Sequence, residues 1–149
     1  MKQEKILIQL ASVEDSRAIY DIRYEPSINV LSVNQEVSSF EKHDEWFKKQ
    51  YCCGLDNKCF VLKASDVVAG YCRFDRNNKG EFNISIAISP KFQGQGFGQK
   101  LLSESMIIMG QNKVFIASVF KNNPVSLKLF QKNGFELIDE DEQQYYLKR

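Results

Sequence analysis

The sequence predicts a single α/β domain: one mixed β-sheet with helices on both faces. Three observations lead there. Apolar runs of strand length alternate with stretches of helical periodicity along the whole chain. A strand, a glycine-rich turn and a helix follow one another between Phe82 and Met109. Two alternating runs, 58–64 and 67–74, are joined by Ser65-Asp66, a two-residue hairpin candidate. With 149 residues the chain has enough length for one substantial core, so residues 1–149 form one domain.

In chain order, Ile6-Leu-Ile-Gln-Leu10 is a short first strand. Ser12 is an N-cap with acidic residues behind it, opening a helix that runs to about Tyr24 with Ala18, Ile19 and Ile22 on its apolar face. Pro26 ends that helix, and 27–38 reads as polar and irregular. Ser39 caps a second helix over 40–51, with Phe40, Trp46 and Phe47 in its apolar set. The hairpin follows, and Asn77-Asn-Lys-Gly80 turns the chain into a buried strand over 82–88. Helical periodicity returns over 99–109, a strand over 113–119, a helix after Asn122, and an antiparallel pair over 135–138 and 144–147. The predicted order is β-α-α-β-β-β-α-β-α-β-β.

Composition narrows the function classes. A net charge of +1 gives no electrostatic reason to expect nucleic acid or an anionic membrane as partner. No apolar run approaches a membrane span and the first residues lack a signal-peptide core, so the expected location is the cytoplasm. Cys52, Cys53, Cys59 and Cys72 match neither a zinc ribbon nor a redox C-x-x-C, and are expected as reduced packing residues. That spacing and the single His43 argue against a metal site.

The chemistry concentrates in Gln93-Gly-Gln-Gly-Phe-Gly98. A glycine turn opening a helix aims free N–H groups at an anion, with the positive end of the helix dipole behind them. The glycine spacing is not G-x-G-x-x-G, and no Gly-Lys-Ser/Thr follows, which disfavours dinucleotide and P-loop sites. A tight structural turn would carry the same glycines. The stretch resembles the acetyl-CoA loop of the GNAT N-acetyltransferase superfamily, Q/R-x-x-G-x-G/A, through Gln93, Gly96 and Gly98. Downstream, Asn123, Ser126, Phe130 and Gly134-Phe135 are similar to the family's second signature, in the right order. The element order matches that family over the full chain.

The resemblance implies acetyl-CoA as cosubstrate and a splayed sheet. The strand at Ile86, Ala87 and Ile88 would part from that at Ser118-Val119, with a bulge or break near Ile86–Ile88, and take up the pantetheine arm. Gln93 and the N–H groups of Gly94, Gln95, Gly96, Phe97, Gly98 and Gln99 would hold the pyrophosphate, with Asn123 and Ser126 facing the arm. Asn123 before Pro124 is equally a helix N-cap, and both roles are compatible. Phe130 stands where many members have a tyrosine acid, so it would pack beside the thioester without donating a proton. Ser118 replaces the glutamate of ribosomal-alanine acetyltransferases. Glu81 and His43 remain as candidate bases; a solvated strand-end charge and an incidental helix histidine are the competing readings.

The N-terminal third resembles a GNAT subgroup acting on nucleotide-linked 4-amino sugars of nonulosonic acid pathways. Pro26, Ser32, His43, Trp46 and Phe47 match its motifs, and Arg73 falls in a similar G-x-x-R-F/L-D strand; Asn29 stands where an arginine is usual. Ser32, His43, Trp46 and Arg73 are therefore expected to bind the acceptor. The alternatives are acetylation of a protein N-terminus, a peptide or a polyamine, and a catalytically silent acyl-CoA-binding module. Apolar surface on the last two strands would permit a homodimer.

Overall fold

Two-residue periodicity gives this sheet two apolar faces, and both are covered. The computed structural model describes residues 5–54 and 56–149. Its strands are β1 (Ile6–Leu10), β2 (Lys58–Ala64), β3 (Val67–Arg76), β4 (Phe82–Ile88), β5 (Phe115–Phe120), β6 (Glu136–Glu140) and β7 (Gln144–Lys148). Its helices are α1 (Ser16–Arg23), α2 (Pro26–Asn29), α3 (Phe40–Tyr51), α4 (Phe97–Met109) and α5 (Pro124–Lys132). The strands form one sheet in the order β1-β2-β3-β4-β5-β7-β6. Among the described residues only β4 and β5 run parallel, which requires the α4 crossover between them.

On one face Phe60, Leu62, Cys72, Phe74 and Ile84 pack with Leu101, Leu102 and Met106 of α4 and Phe130 of α5. On the other, Cys59, Val61 and Tyr71 pack with Ile19, Ile22 and Phe47 of α1 and α3. Alternate residues of β2 and β3 thus serve different cores. Cys59 and Cys72 are buried, one on each face, while Cys53 is exposed; all four cysteines are free thiols.

The hairpin turn at Ser65-Asp66 has positive φ at both residues, 49° and 69°, as a two-residue turn of the primed type requires. Ser39 caps α3, its side chain accepting from the Lys42 N–H at 3.2 Å. Two local expectations are corrected. Pro26 does not lead into irregular chain; it occupies the first turn of α2, where its missing N–H costs nothing. The register of β3 with β4 is unbroken from Gly70–Ile88 to Arg76–Phe82, so β4 carries no bulge near Ile86–Ile88. The irregularity lies between β2 and β3 at Leu62/Lys63. Just beyond it, a Cβ on Gly70 would meet the Ala87 carbonyl at 2.7 Å, so a side chain there would push β4 away.

β6 is an edge strand that leaves Leu137 and Ile138 exposed. Among the described residues no helix is long and apolar enough to cross a membrane.

Candidate active site

β4 and β5 pair only at Phe82–Phe115 and Asn83–Ile116. Beyond that point they part, while β4 stays paired to β3 and β5 to β7 through Ser118–Tyr146 and Val119–Tyr145. The result is a V, closed at Phe82 and open at Ile88. Along β4 the backbone groups alternate: Phe82 donates toward β5 and Ser89 toward β3, so Ile86 and the Ile88 N–H face the gap, where an extended chain with amide groups could pair as an extra strand, while Ala87 turns its backbone groups to β3.

α4 and α5 follow the C-terminal ends of these parallel strands, so both helix N-termini stand at the open end of the V. Gly94 and Gly96 have φ of +79° and +80°, and a Cβ on either would meet nothing within 4 Å. The glycines are therefore required by the left-handed backbone and leave open space above it. Phe97, Gly98 and Gln99 form the first turn of α4, where the helix has no internal acceptor for their N–H groups. An anion approaching the open side meets these donors and the helix dipole.

Some side chains read as ligands are engaged within the protein. Gln93 donates to the Ile88 carbonyl at 2.9 Å and closes the loop at the end of β4. Gln99 and Asn133 exchange side-chain hydrogen bonds at 3.1 and 2.8 Å, tying α4 to the end of α5. Asn123 is the N-cap of α5, accepting from the Ser126 N–H at 3.2 Å and donating to its hydroxyl at 3.1 Å. Phe130 is 3% exposed and packs edge-on against Phe135 at 5.0 Å, within the main core.

A cleft of about 230 Å³ opens on the α1/α3 side of the sheet, lined by Ile19, Arg23, Tyr24, Ser38, Lys42, His43, Trp46, Tyr71 and Arg73. Tyr71 pairs with Ala87 and Arg73 with Ser85 across β3–β4. One strand spacing, about 4.8 Å, therefore separates the cleft wall from the edge of the V. Of the acceptor residues expected from sequence, His43, Trp46 and Arg73 meet here. The Arg73 guanidinium lies 5.3 Å from the Trp46 ring centroid. Arg73 Nε and His43 Nε2 are buried without a hydrogen-bond partner among the described residues.

Ser32 does not line the cleft. Its hydroxyl accepts from Arg23 at 2.9 Å, and the same guanidinium donates to Asn29 at 3.2 Å and to the Asn34 carbonyl at 3.4 Å. Arg23 thus ties the α1–α3 connection to the cleft wall. Arg23, Lys42 and Tyr24 line the cleft beside the residues expected from the sequence. The helical spacing of Ile19 and Arg23, i and i+4, was the available signal.

Glu81 is not brought to this site. It precedes β4 at the closed end of the V, and Ile86 lies five residues, roughly 17 Å, further along the strand. Its carboxylate pairs with Lys148 at 3.0 Å and accepts from Asn77 at 3.2 Å. The Lys148 hydrogen bond, then the Asn77 one, hold it below the usual carboxylate range. Among the described residues no group of three or more His, Cys, Asp or Glu side chains could hold a metal ion.

The comparisons agree with this geometry. Over 137 residues the chain is 26% identical to the acetyltransferase PseH of Campylobacter jejuni, covering 90% of this chain and 85% of that protein. Its fold is that of yncA from Salmonella typhimurium, solved with its cofactor acetyl-CoA: TM-score 0.80, 19% identity, 97% of this chain and 93% of that one covered. The spermidine N-acetyltransferase of Vibrio cholerae, solved with CoA and spermine, has a TM-score of 0.80 at 18% identity, covering 97% and 94% of the two chains. The model of the Acetyltransferase (GNAT) family matches residues 17–135, which span α1, the V, both helix N-termini and the cleft, and the chain belongs to that family of acetyl-CoA-dependent N-acetyltransferases.

Proposed function

We propose that the chain transfers an acetyl group directly from acetyl-CoA to a small primary amine that also carries negative charge, and that this acceptor is a nucleotide-activated amino sugar. The observation that carries the reading is the charge of the cleft. Arg23, Lys42 and Arg73 line it, and among the described residues no carboxylate does and none of these cations forms an ion pair. Arg73 is half-buried and, although Asp75 lies near it, makes no ion pair, so a bound phosphate offsets the cost of its partial desolvation. A polyamine would add like charge to the same space, against roughly 4 kcal/mol of repulsion for a pair at 4 Å near a protein surface. A peptide N-terminus would find no acidic group to receive it. The aromatic rings of Trp46 and Tyr24 suit a sugar or base face.

In this reading the pantetheine arm lies in the V against Ile86, Ala87 and Ile88. The pyrophosphate takes the N–H groups of Phe97, Gly98 and Gln99, with Gly94, Gln95 and Gly96 allowing close approach. Gln93, Asn123 and Ser126 hold the loop and the second helix end in place. Acetyl-CoA supplies an activated acyl group as a thioester. The chain supplies proximity, an N–H at the edge of β4 for the developing oxyanion, and a cleft that presents the amine from the α3 side.

The test is thiol release from acetyl-CoA over a panel of UDP-amino sugars, polyamines and peptides. Release with a UDP-amino sugar supports the proposal. Release with none, alongside tight acetyl-CoA binding, would mark a silent acyl-CoA-binding module instead.

A further inference from the structure

His43 is the only histidine in the chain, and it is 4% exposed. It is held by rings on several sides: Phe47 stacks on it at 5.9 Å, Tyr20 meets it edge-on at 5.2 Å, and Trp46 lies at 5.7 Å. Such packing leaves the imidazole little freedom to turn. Its Nε2 has no partner among the described residues, yet the residue lines the cleft. A buried polar atom left unpaired is costly, so its retention at a ligand site points to a partner that arrives with the ligand. Among the described residues no carboxylate lines the cleft, and Glu81 sits at the other end of β4 in a salt bridge.

We propose that His43 Nε2 is the general base that takes the proton from the acceptor amine. This rests on the reading of the cleft as the acceptor site. An ammonium R–NH3+ gives one proton to Nε2, leaving an imidazolium and a neutral amine. The nitrogen lone pair attacks the thioester carbonyl carbon and a C–N bond forms. The C–S bond breaks with its electron pair on sulfur. The second nitrogen proton goes to the thiolate, and the imidazolium returns its proton to water. The sum is ammonium plus thioester giving amide, thiol and one proton.

The surroundings suit that role. Burial lowers the affinity of His43 for a proton; a hydrogen bond with the Ser16 backbone opposes this, Arg73 and Arg23 lower it further, and Asp44 raises it. The groups facing it are Tyr20, Arg23 and Tyr24 from α1, Lys42, Asp44 and Trp46 on its own helix, and Tyr71 and Arg73 from β3. The ring is therefore neutral near pH 7 and free to accept. An anionic acceptor seated on Arg23 and Arg73 weakens their field and makes the imidazolium easier to form, so binding the substrate itself raises the basicity of His43.

The experiment combines kinetics with an NMR titration of this sole histidine. Using the best acceptor from the thiol-release panel, kcat/KM of the wild type is expected to rise with slope one and level off at the pH where the His43 ring signals titrate in the free enzyme. Addition of UDP is expected to move that titration upward. His43→Gln is expected to lose about a hundredfold or more in kcat/KM at pH 7 and to lose the inflection, with acetyl-CoA affinity unchanged. Wild-type turnover with the variant within threefold, or a kinetic inflection that does not coincide with the NMR titration, overturns the role of His43 and leaves the cleft reading intact. The NMR comparison uses wild-type protein alone and stands whether or not the variant folds. No wild-type turnover with any acceptor overturns both.

Discussion

The Arg73 guanidinium lies over the Trp46 ring in the lining of the cleft, 5.3 Å from the ring centroid. Tyr51 braces the indole edge-on at 5.5 Å and its hydroxyl donates to Asp75, two residues beyond Arg73 on the same face of β3. The cation thus rests against an aromatic wall, with Asp75 nearby but in no ion pair with it, which leaves its charge available to a ligand.

Arg73→Lys is expected to raise the acceptor KM about tenfold, because an ammonium loses both the guanidinium's contact with the ring and the planar fork. Calorimetry should show acetyl-CoA affinity unchanged. An unchanged acceptor KM would remove Arg73 from recognition.

Gly96→Val places a branched side chain at a φ of +80° and into the space above the loop. Acetyl-CoA affinity is expected to fall about tenfold or more, which corresponds to 1.4 kcal/mol. Gly110→Ala, at the other end of α4 with a φ of +112°, is the control. It should lower the melting temperature without changing affinity. Equal affinity in a folded Gly96→Val protein would remove the loop from the phosphate site.

Phe130→Tyr is expected to leave turnover within a few-fold of wild type and to lower stability by about 1–3 kcal/mol, since the hydroxyl enters a packed core beside Phe135. Denaturant unfolding measures the second effect. A large gain in rate would show that proton donation at this position limits the reaction.

Glu81→Gln is expected to leave kcat within about threefold, because Glu81 stands at the closed end of the V. Its effect belongs to stability. The carboxylate is held below its ordinary value of 4.5 by Lys148, then Asn77, so its stabilisation is present above about pH 4.5 and fades as pH falls through the lower folded value. The melting difference between wild type and variant should therefore shrink in acid. A loss of about a thousandfold in rate that persists at pH 9 would make Glu81 a committed base.

The elements legible in the sequence were those specified by local chemistry. Ser39 marks the start of α3 because its hydroxyl satisfies a first-turn N–H, and β4 ends where Ser89-Pro90 stops the ladder. His43, Trp46 and Arg73 could be grouped because a helix spacing and a strand alternation each place them on one face. What depended on tertiary approach was not legible. Arg23 reaches Ser32 and the Asn34 carbonyl only because the α1–α3 connection folds back over α1. Glu81 could be placed at a strand end but not at the closed end of the V, since that follows from where β4 and β5 stop pairing. The edge-on contact of Phe130 with Phe135, beyond Gly134 at a φ of +87°, likewise depends on how the chain turns after α5.

The most direct measurement is the ratio of kcat/KM for a UDP-linked 4-amino sugar to that for spermidine, taken with the same enzyme at pH 7.5 and low salt. A cleft lined by Arg23, Lys42 and Arg73 without a carboxylate predicts a ratio above about a hundred, falling as salt screens the cations. A ratio at or below one, or a ratio insensitive to salt, would contradict an acceptor site built for an anionic amine.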